Sequence, residues 1–289
     1  MRIELTILLL LSALMVGCSQ EKKNTTDAPK RQGYDGVLYG DVESITKSGY
    51  YAEGVIEEFE LGREFVCQEY FFNERGDVER RAEHWSCGMV ADYAEFIYDN
   101  GGRLTEEVWR GADGEVFNGY IYIYDEQGRV VELQDYDAED RVATHCKTFL
   151  YDADGRQTQI TDYDLAGQGR TLVESHQFTY DSQGYLKSMG RYNESFDVEW
   201  YESYTYLFDE SGRIAEKTDY TLSGEVIWKT IYNYDSEGRM TSWVVVDDDK
   251  VNESHYLSYD IHGNLIRELV CEGNKEWVER CYEYRITYR

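Results

Sequence analysis

Proline is nearly absent from this 289-residue chain, with Pro29 the single example. A proline removes a ladder hydrogen bond, so its scarcity leaves the chain free to build many paired strands. Basic residues are also few: 29 Lys and Arg stand against 57 Asp and Glu, for a formal net charge of −28. A surface this acidic repels phosphate backbones and anionic headgroups, which excludes nucleic acid as a natural partner. Cationic partners, metal ions and neutral sugars stay open. No apolar run beyond the N-terminus is long enough to span a bilayer as a helix. Also missing are C-x-x-C pairs and the H-E-x-x-H and G-x-S-x-G constellations, so neither a metal centre nor a hydrolytic site is expected. Ser175 and His176 are adjacent, but adjacent strand residues point to opposite faces and cannot act as a nucleophile and its base.

Residues 1–17 read as a processing segment. Arg2 supplies the charge, Leu5 to Val16 the short apolar run, and "MVGC" ends it at Cys18. The pattern resembles a bacterial lipoprotein signal, which implies lipidation of Cys18 and a membrane anchor; an ordinary secretory signal or an uncleaved anchor is the alternative. Ser19, where an aspartate would favour inner-membrane retention, points to the outer membrane. Residues 18–33 form a polar tether and residues 34–289 the folded domain. Five cysteines remain: Cys67, Cys87, Cys146, Cys271 and Cys281. The odd number leaves at least one thiol unpaired within the chain, and buried thiols and a specific bridge both stay open.

What is abundant is aromatic residues, 15% of the chain with 27 tyrosines, and a repeated phrase. Tyr-Asp-x-x-Gly-Arg, with substitutions, begins at Phe72, Tyr98, Tyr124, Tyr151, Tyr180, Phe208, Tyr234 and Tyr259. Its glycines are spaced by 26, 26, 27, 29, 28, 26 and 25 residues. A looser turn falls midway through several intervals, as at "GADGE" from Gly111. Each repeat is therefore strand, turn, strand, turn, a spacing too tight for helical crossovers. Aspartate can bond an N–H two residues on, and glycine tolerates the left-handed backbone that closes such a hairpin. Period-two counting puts paired aromatics such as Tyr122 and Tyr124, or Phe149 and Tyr151, on one face as a ladder. An apolar column (Leu104, Val130, Leu186, Ile214, Met240, Leu265), interrupted by Gln157, follows two residues after the glycines.

The segment "YDADGRQTQITDYD" resembles the YD repeat of the rearrangement-hotspot family, and the likeness runs from about Phe72 to Tyr284. It implies an all-β fold: an antiparallel β-meander or solenoid of about eight two-stranded YD-type repeats that spirals, with an atypical first unit from Leu38 serving as its cap. There are too few repeats to enclose another protein, so the family's shell function does not carry over.

Continued inward, the aromatic face turns polar. One column reads Tyr120, Lys147, His176, Tyr204, Thr230, His255, and the next reads Asn118, His145, Glu174, Glu202, Trp228, Glu253. Such a strip either lines a binding face or is a solvated mid-sheet, and Trp200 and Trp228 either stack on a ligand or pack inside. The resulting expectation is a non-enzymatic cell-envelope lipoprotein without cofactor. It would bind carbohydrate through Tyr120, Glu174, His176, Glu202, Tyr204 and Trp228. The alternative is a protein-interaction or toxin-immunity role with a cationic partner. "VDDDK" from Val246 is expected to be a turn.

Overall fold

The computed structural model describes residues 31–34, 36–85, 88–137, 141–166, 169–273 and 276–289. The signal segment, the lipidated Cys18, most of the tether and Cys87 lie outside these residues. Among the described residues there are eighteen strands and no helix. They are β1 (Val42–Val55), β2 (Glu58–Phe72), β3 (Val78–His84), β4 (Val90–Tyr98), β5 (Leu104–Gly111), β6 (Val116–Tyr124), β7 (Val130–Asp137), β8 (Ala143–Tyr151) and β9 (Gln157–Ala166). There follow β10 (Gly169–Tyr180), β11 (Leu186–Asn193), β12 (Val198–Phe208), β13 (Ile214–Tyr220), β14 (Val226–Tyr234), β15 (Met240–Asp247), β16 (Lys250–Tyr259), β17 (Leu265–Glu272) and β18 (Trp277–Tyr288). The expected all-β antiparallel repeat is present, as nine two-stranded units once β1 and β2 are counted.

One correction concerns the first unit, expected to cap the array; whether the sheet is open or closed is not decided by the sequence. The strands run in sequence order through one antiparallel sheet, and β1 pairs with β18 as well as with β2. The strand order thus closes on itself, where an open meander would leave two free edges. Ile45 faces Tyr70 on β2 and Ile286 on β18, so the atypical first unit joins the array's end instead of capping it. Closure satisfies the N–H and C=O groups that an edge strand leaves bare.

The hairpin phrase owes its repetition to an interlock between successive repeats. Asp125 Oδ1 accepts the N–H groups of Gln127 at 3.0 Å and Arg129 at 2.8 Å, while its Oδ2 takes Arg129 Nε at 2.7 Å. So held, the Arg129 guanidinium lies over the ring of Tyr151, 4.9 Å from the centroid, in the next repeat. The Tyr151 hydroxyl then reaches back to donate to the Val130 carbonyl at 2.7 Å. The same circuit recurs with Arg103 and Tyr124, Arg156 and Tyr180, Arg213 and Tyr234, and Arg239 and Tyr259. The expected ring-on-ring ladder is thus a ladder of guanidinium on tyrosine. The backbone N–H of the arginine four residues on is the first cause holding the Asp99, Asp125 and Asp209 carboxyls below the ordinary value. The glycines close the loops with φ between 78° and 93°, a region where a Cβ is strained.

At the last phrase, beside the β1–β18 seam, the arginine is replaced. Asn264 stands in its place after Gly263; fully buried, it donates to the Tyr39 carbonyl at 3.0 Å and accepts the Tyr39 N–H at 2.7 Å. Its amide also meets the Tyr288 hydroxyl at 2.6 Å. Phe72 opens the first phrase, and the guanidinium over it, 5.3 Å from the centroid, is that of Arg31 from before the sheet.

The chain divides into two compact units. Of the described residues, the first comprises those up to Val90 together with 206–217 and 228–289, and the second those in 91–205 and 218–227. In the first, Leu269, Cys271, Val278 and Cys281 form a buried cluster with Ile56, Phe59 and Tyr256 against it. In the second, Phe96, Phe149, Phe178, Leu133 and Ile160 are buried on the aromatic face. On the opposite face Tyr136 covers Gly119, where an added Cβ would sit 2.3 Å from its hydroxyl oxygen. Cys67, Cys146, Cys271 and Cys281 are free thiols, and burial pushes Cys281 up to about 11. Asp248 and Asp249 form the two-residue turn expected of "VDDDK", both with positive φ.

Candidate functional site

Residues directly opposite in an antiparallel pair share a face, so the pairing register decides which polar side chains meet. Tyr122 faces Leu133, Leu133 faces Lys147, Lys147 faces Asp162, and Asp162 faces Glu174. Tyr122 precedes its repeat glycine by six residues, Lys147 by eight and Glu174 by ten, so the strands slip by two residues from β6 to β8 and by two more from β8 to β10. The expected straight columns are therefore overturned: Tyr120 shares its row with Asp135 and His145, not with Lys147. The cause is a bulge near each turn, as between Ile123 and Tyr124 and between Asp135 and Tyr136, which adds one residue to one strand of the pair.

This stagger assembles a polar strip on β8 to β12 of the second unit. One row is Lys147, Asp162, Glu174 and Asn193, and the next is Phe149, Ile160, His176, Arg191 and Trp200. Phe178, Met189 and Glu202 follow. Lys147 Nζ donates to Asp162 Oδ1 at 2.6 Å. Asp162, Glu174 and His176 each present one ligand-type atom, all within 4.8 Å of one another. Burial, then the neighbouring Asp162 charge, raises the Glu174 carboxyl above its usual value. Burial lowers His176, which favours a neutral imidazole with a lone pair to offer. Arg191 carries its charge to the Glu199 carboxylate at 3.2 Å, and beside it Trp200 is 37% exposed. The strip therefore grades from a buried imidazole to a half-exposed guanidinium and an open indole.

Of the residues singled out in the sequence, Glu174 and His176 meet here, with Nδ1 and Oε1 3.9 Å apart. Glu202 and Tyr204 are both buried and linked by a 3.1 Å bond from the phenol to the carboxylate. Tyr120 is on the same face but on β6, four strands from β10 and thus about 19 Å away. Trp228 lies on β14 in the first unit, 37% exposed. Sequence reasoning missed Asp162, whose part in the cluster follows from the stagger and has no motif to announce it. It also left Arg191 unnoticed.

A second histidine, His255 in the first unit, makes a useful contrast. Its ring stacks on Trp243 with centroids 3.4 Å apart, and its two nitrogens pair with Glu268 and Glu253, each at 2.7 Å. Arg280 completes the charge balance on Glu253 at 2.6 Å. Every polar atom of this imidazole is engaged.

The chain matches no protein-family model and no curated protein. Among solved structures it is similar to the Photorhabdus luminescens Tc holotoxin pore at 14% identity and a TM-score of 0.35, covering 74% of this chain and 14% of that one. It is similar to a porin-like protein from Bacteroides uniformis at 11% identity and a TM-score of 0.44, covering 86% of this chain and 99% of that one. A porin-like protein from Bacteroides vulgatus gives 12% identity and a TM-score of 0.34 over 86% of this chain and 98% of that one. The chain thus spans about a seventh of the toxin chain it matches.

Proposed function

We propose that this protein is a non-enzymatic, lipid-anchored module of the bacterial cell envelope, its anchor at Cys18, whose repeat sheet binds carbohydrate along the β8 to β12 strip. The observation that carries the reading is the row of His176, Arg191 and Trp200 beside Glu174 and Glu202. Sugar hydroxyls need donors and acceptors side by side, and sugar rings need an apolar plane; the guanidinium, carboxylates and half-exposed indole supply both. Affinity should fall when Trp200→Ala removes the plane and should change little with salt. Trp228 belongs to the other unit, so Trp228→Ala serves as the comparison: loss confined to Trp228→Ala would move the binding site away from this strip.

A second reading rests on the net charge of −28: an interaction or immunity protein that holds a cationic partner. Its binding would weaken steeply as salt rises, because exposed charges are screened over about 10 Å at 0.1 M. The deciding experiment is binding of the purified chain to a glycan array and to cell-envelope extract at low and high salt. Sugar-competed, salt-resistant binding supports the first reading, salt-sensitive capture of one basic protein supports the second, and silence on the glycan array refutes the first. Labelling of Cys18 by fatty acid in cells, abolished in Cys18→Ser, tests the anchor.

A further inference from the structure

His176 is more than nine-tenths buried, and among the described residues neither of its ring nitrogens has a hydrogen-bond partner. The nitrogens of His255, by contrast, are both held by carboxylates at 2.7 Å, so this fold can satisfy an imidazole completely. The ring of His176 faces two carboxylates that oppose each other across β9 and β10. We propose that Asp162, Glu174 and His176 bind a divalent transition-metal ion, with zinc the best match, as a three-ligand site whose remaining coordination position is open.

The donor set supports the choice. One imidazole nitrogen and two carboxylate oxygens suit zinc, which takes three protein ligands where a fourth position is left for water or another molecule. Ligand atoms bound at 2.0–2.2 Å in a tetrahedron stand about 3.4 Å apart. Nδ1 of His176 and Oε1 of Glu174 are at 3.9 Å, and all three donors lie within 4.8 Å, so side-chain movements that shorten these separations by up to about 1.4 Å close the site. Positive charge at this place is already supplied in part by Lys147, whose ammonium sits 2.6 Å from Asp162 Oδ1. The ion would take over that role for both carboxylates, with Lys147 as its competitor for Asp162. The ligands come from neighbouring strands of a rigid sheet, the arrangement that holds a first shell best. The proposal does not depend on sugar binding at the strip.

The test uses the full chain and zinc alone. Calorimetric titration should show one ion per chain, and a zinc concentration about a hundredfold above Kd should raise Tm by about 5 °C. Glu174→Gln keeps the side-chain shape and should weaken binding at least tenfold, as should His176→Ala. Lys147→Gln removes the competing ammonium and should tighten binding, an outcome that a merely structural cluster would not produce. His145→Ala is the control, because His145 and Asp164 form an exposed pair 3.1 Å apart on the same sheet. The proposal is overturned if no stoichiometric zinc binding occurs, or if binding survives Glu174→Gln and is lost in His145→Ala. Zinc binding without sugar binding would refute the carbohydrate reading alone.

Discussion

Tyr151→Phe is the sharpest probe of the interlock, because it deletes one oxygen and leaves the ring in place. The lost bond is the 2.7 Å contact from the Tyr151 hydroxyl to the Val130 carbonyl. A neutral hydrogen bond of this kind is worth about 1 kcal/mol net, which in a domain of this size moves Tm by about 2–4 °C. The guanidinium of Arg129, 4.9 Å from the ring centroid and partly exposed, should add about 0.5–1 kcal/mol through the ring face. That term is isolated by a double-mutant cycle of Arg129→Ala with Tyr151→Leu, measured by urea unfolding, with an expected coupling of about 0.5–1 kcal/mol. Arg129→Ala combined with Leu at Tyr180, one repeat further on, should be additive, since Tyr180 is covered by Arg156. The reasoning fails if Tyr151→Phe is as stable as the parent and the Arg129–Tyr151 coupling is below about 0.3 kcal/mol.

Gln157 interrupts the apolar column, and its Nε2 is buried without a partner. Gln157→Leu, the residue found at the equivalent positions 104, 186 and 265, should therefore stabilise the protein by about 1 kcal/mol, and a lowered urea midpoint would contradict this. Asn264→Ala removes both bonds to Tyr39 and the contact with Tyr288, stranding a buried N–H at the seam. It should cost about 3 kcal/mol and raise hydrogen exchange at Tyr39 first; protection there equal to the parent's would refute the seam. Stability should also be lost at both pH extremes. The Asp99, Asp125 and Asp209 carboxyls are held below the ordinary 3.8, so the unfolded chain takes up protons first and stability falls as pH drops below about 4. Tyr259 is pushed up to about 12 by burial, so the unfolded phenol, near its ordinary 10.0, ionises first and stability is lost between about pH 10 and 12. A urea midpoint flat across either window would contradict the corresponding assignment.

The repeat made the strands and their turns legible, because Asp-x-x-Gly acts within a few residues and each hairpin is decided locally. The apolar column with its odd glutamine is where sequence logic stopped short. What successive repeats recognise at position 157 is the main-chain carbonyl, which accepts the Tyr180 hydroxyl at 2.7 Å, so the side chain there is free to vary. The sequence assigns no role to the arginine of the phrase, yet it is the part that joins one repeat to the next, across a gap of 22 residues from Arg129 to Tyr151 that no local pattern spans. Closure was illegible for a related reason: it depends on departures from the repeat, on Asn264 in place of arginine and on Arg31 reaching Phe72 from outside the array. The candidate site sits one step further from the sequence. Lys147, Asp162 and Glu174 meet because small bulges sum to a two-residue slip from β8 to β10, and each bulge is too weakly encoded to be placed from spacing alone. It follows that altering the slip should alter the site without altering the hairpins. Deleting Ser175, which separates Glu174 from His176, should leave β10 paired while turning those two side chains to opposite faces, abolishing zinc binding in a protein that still unfolds cooperatively.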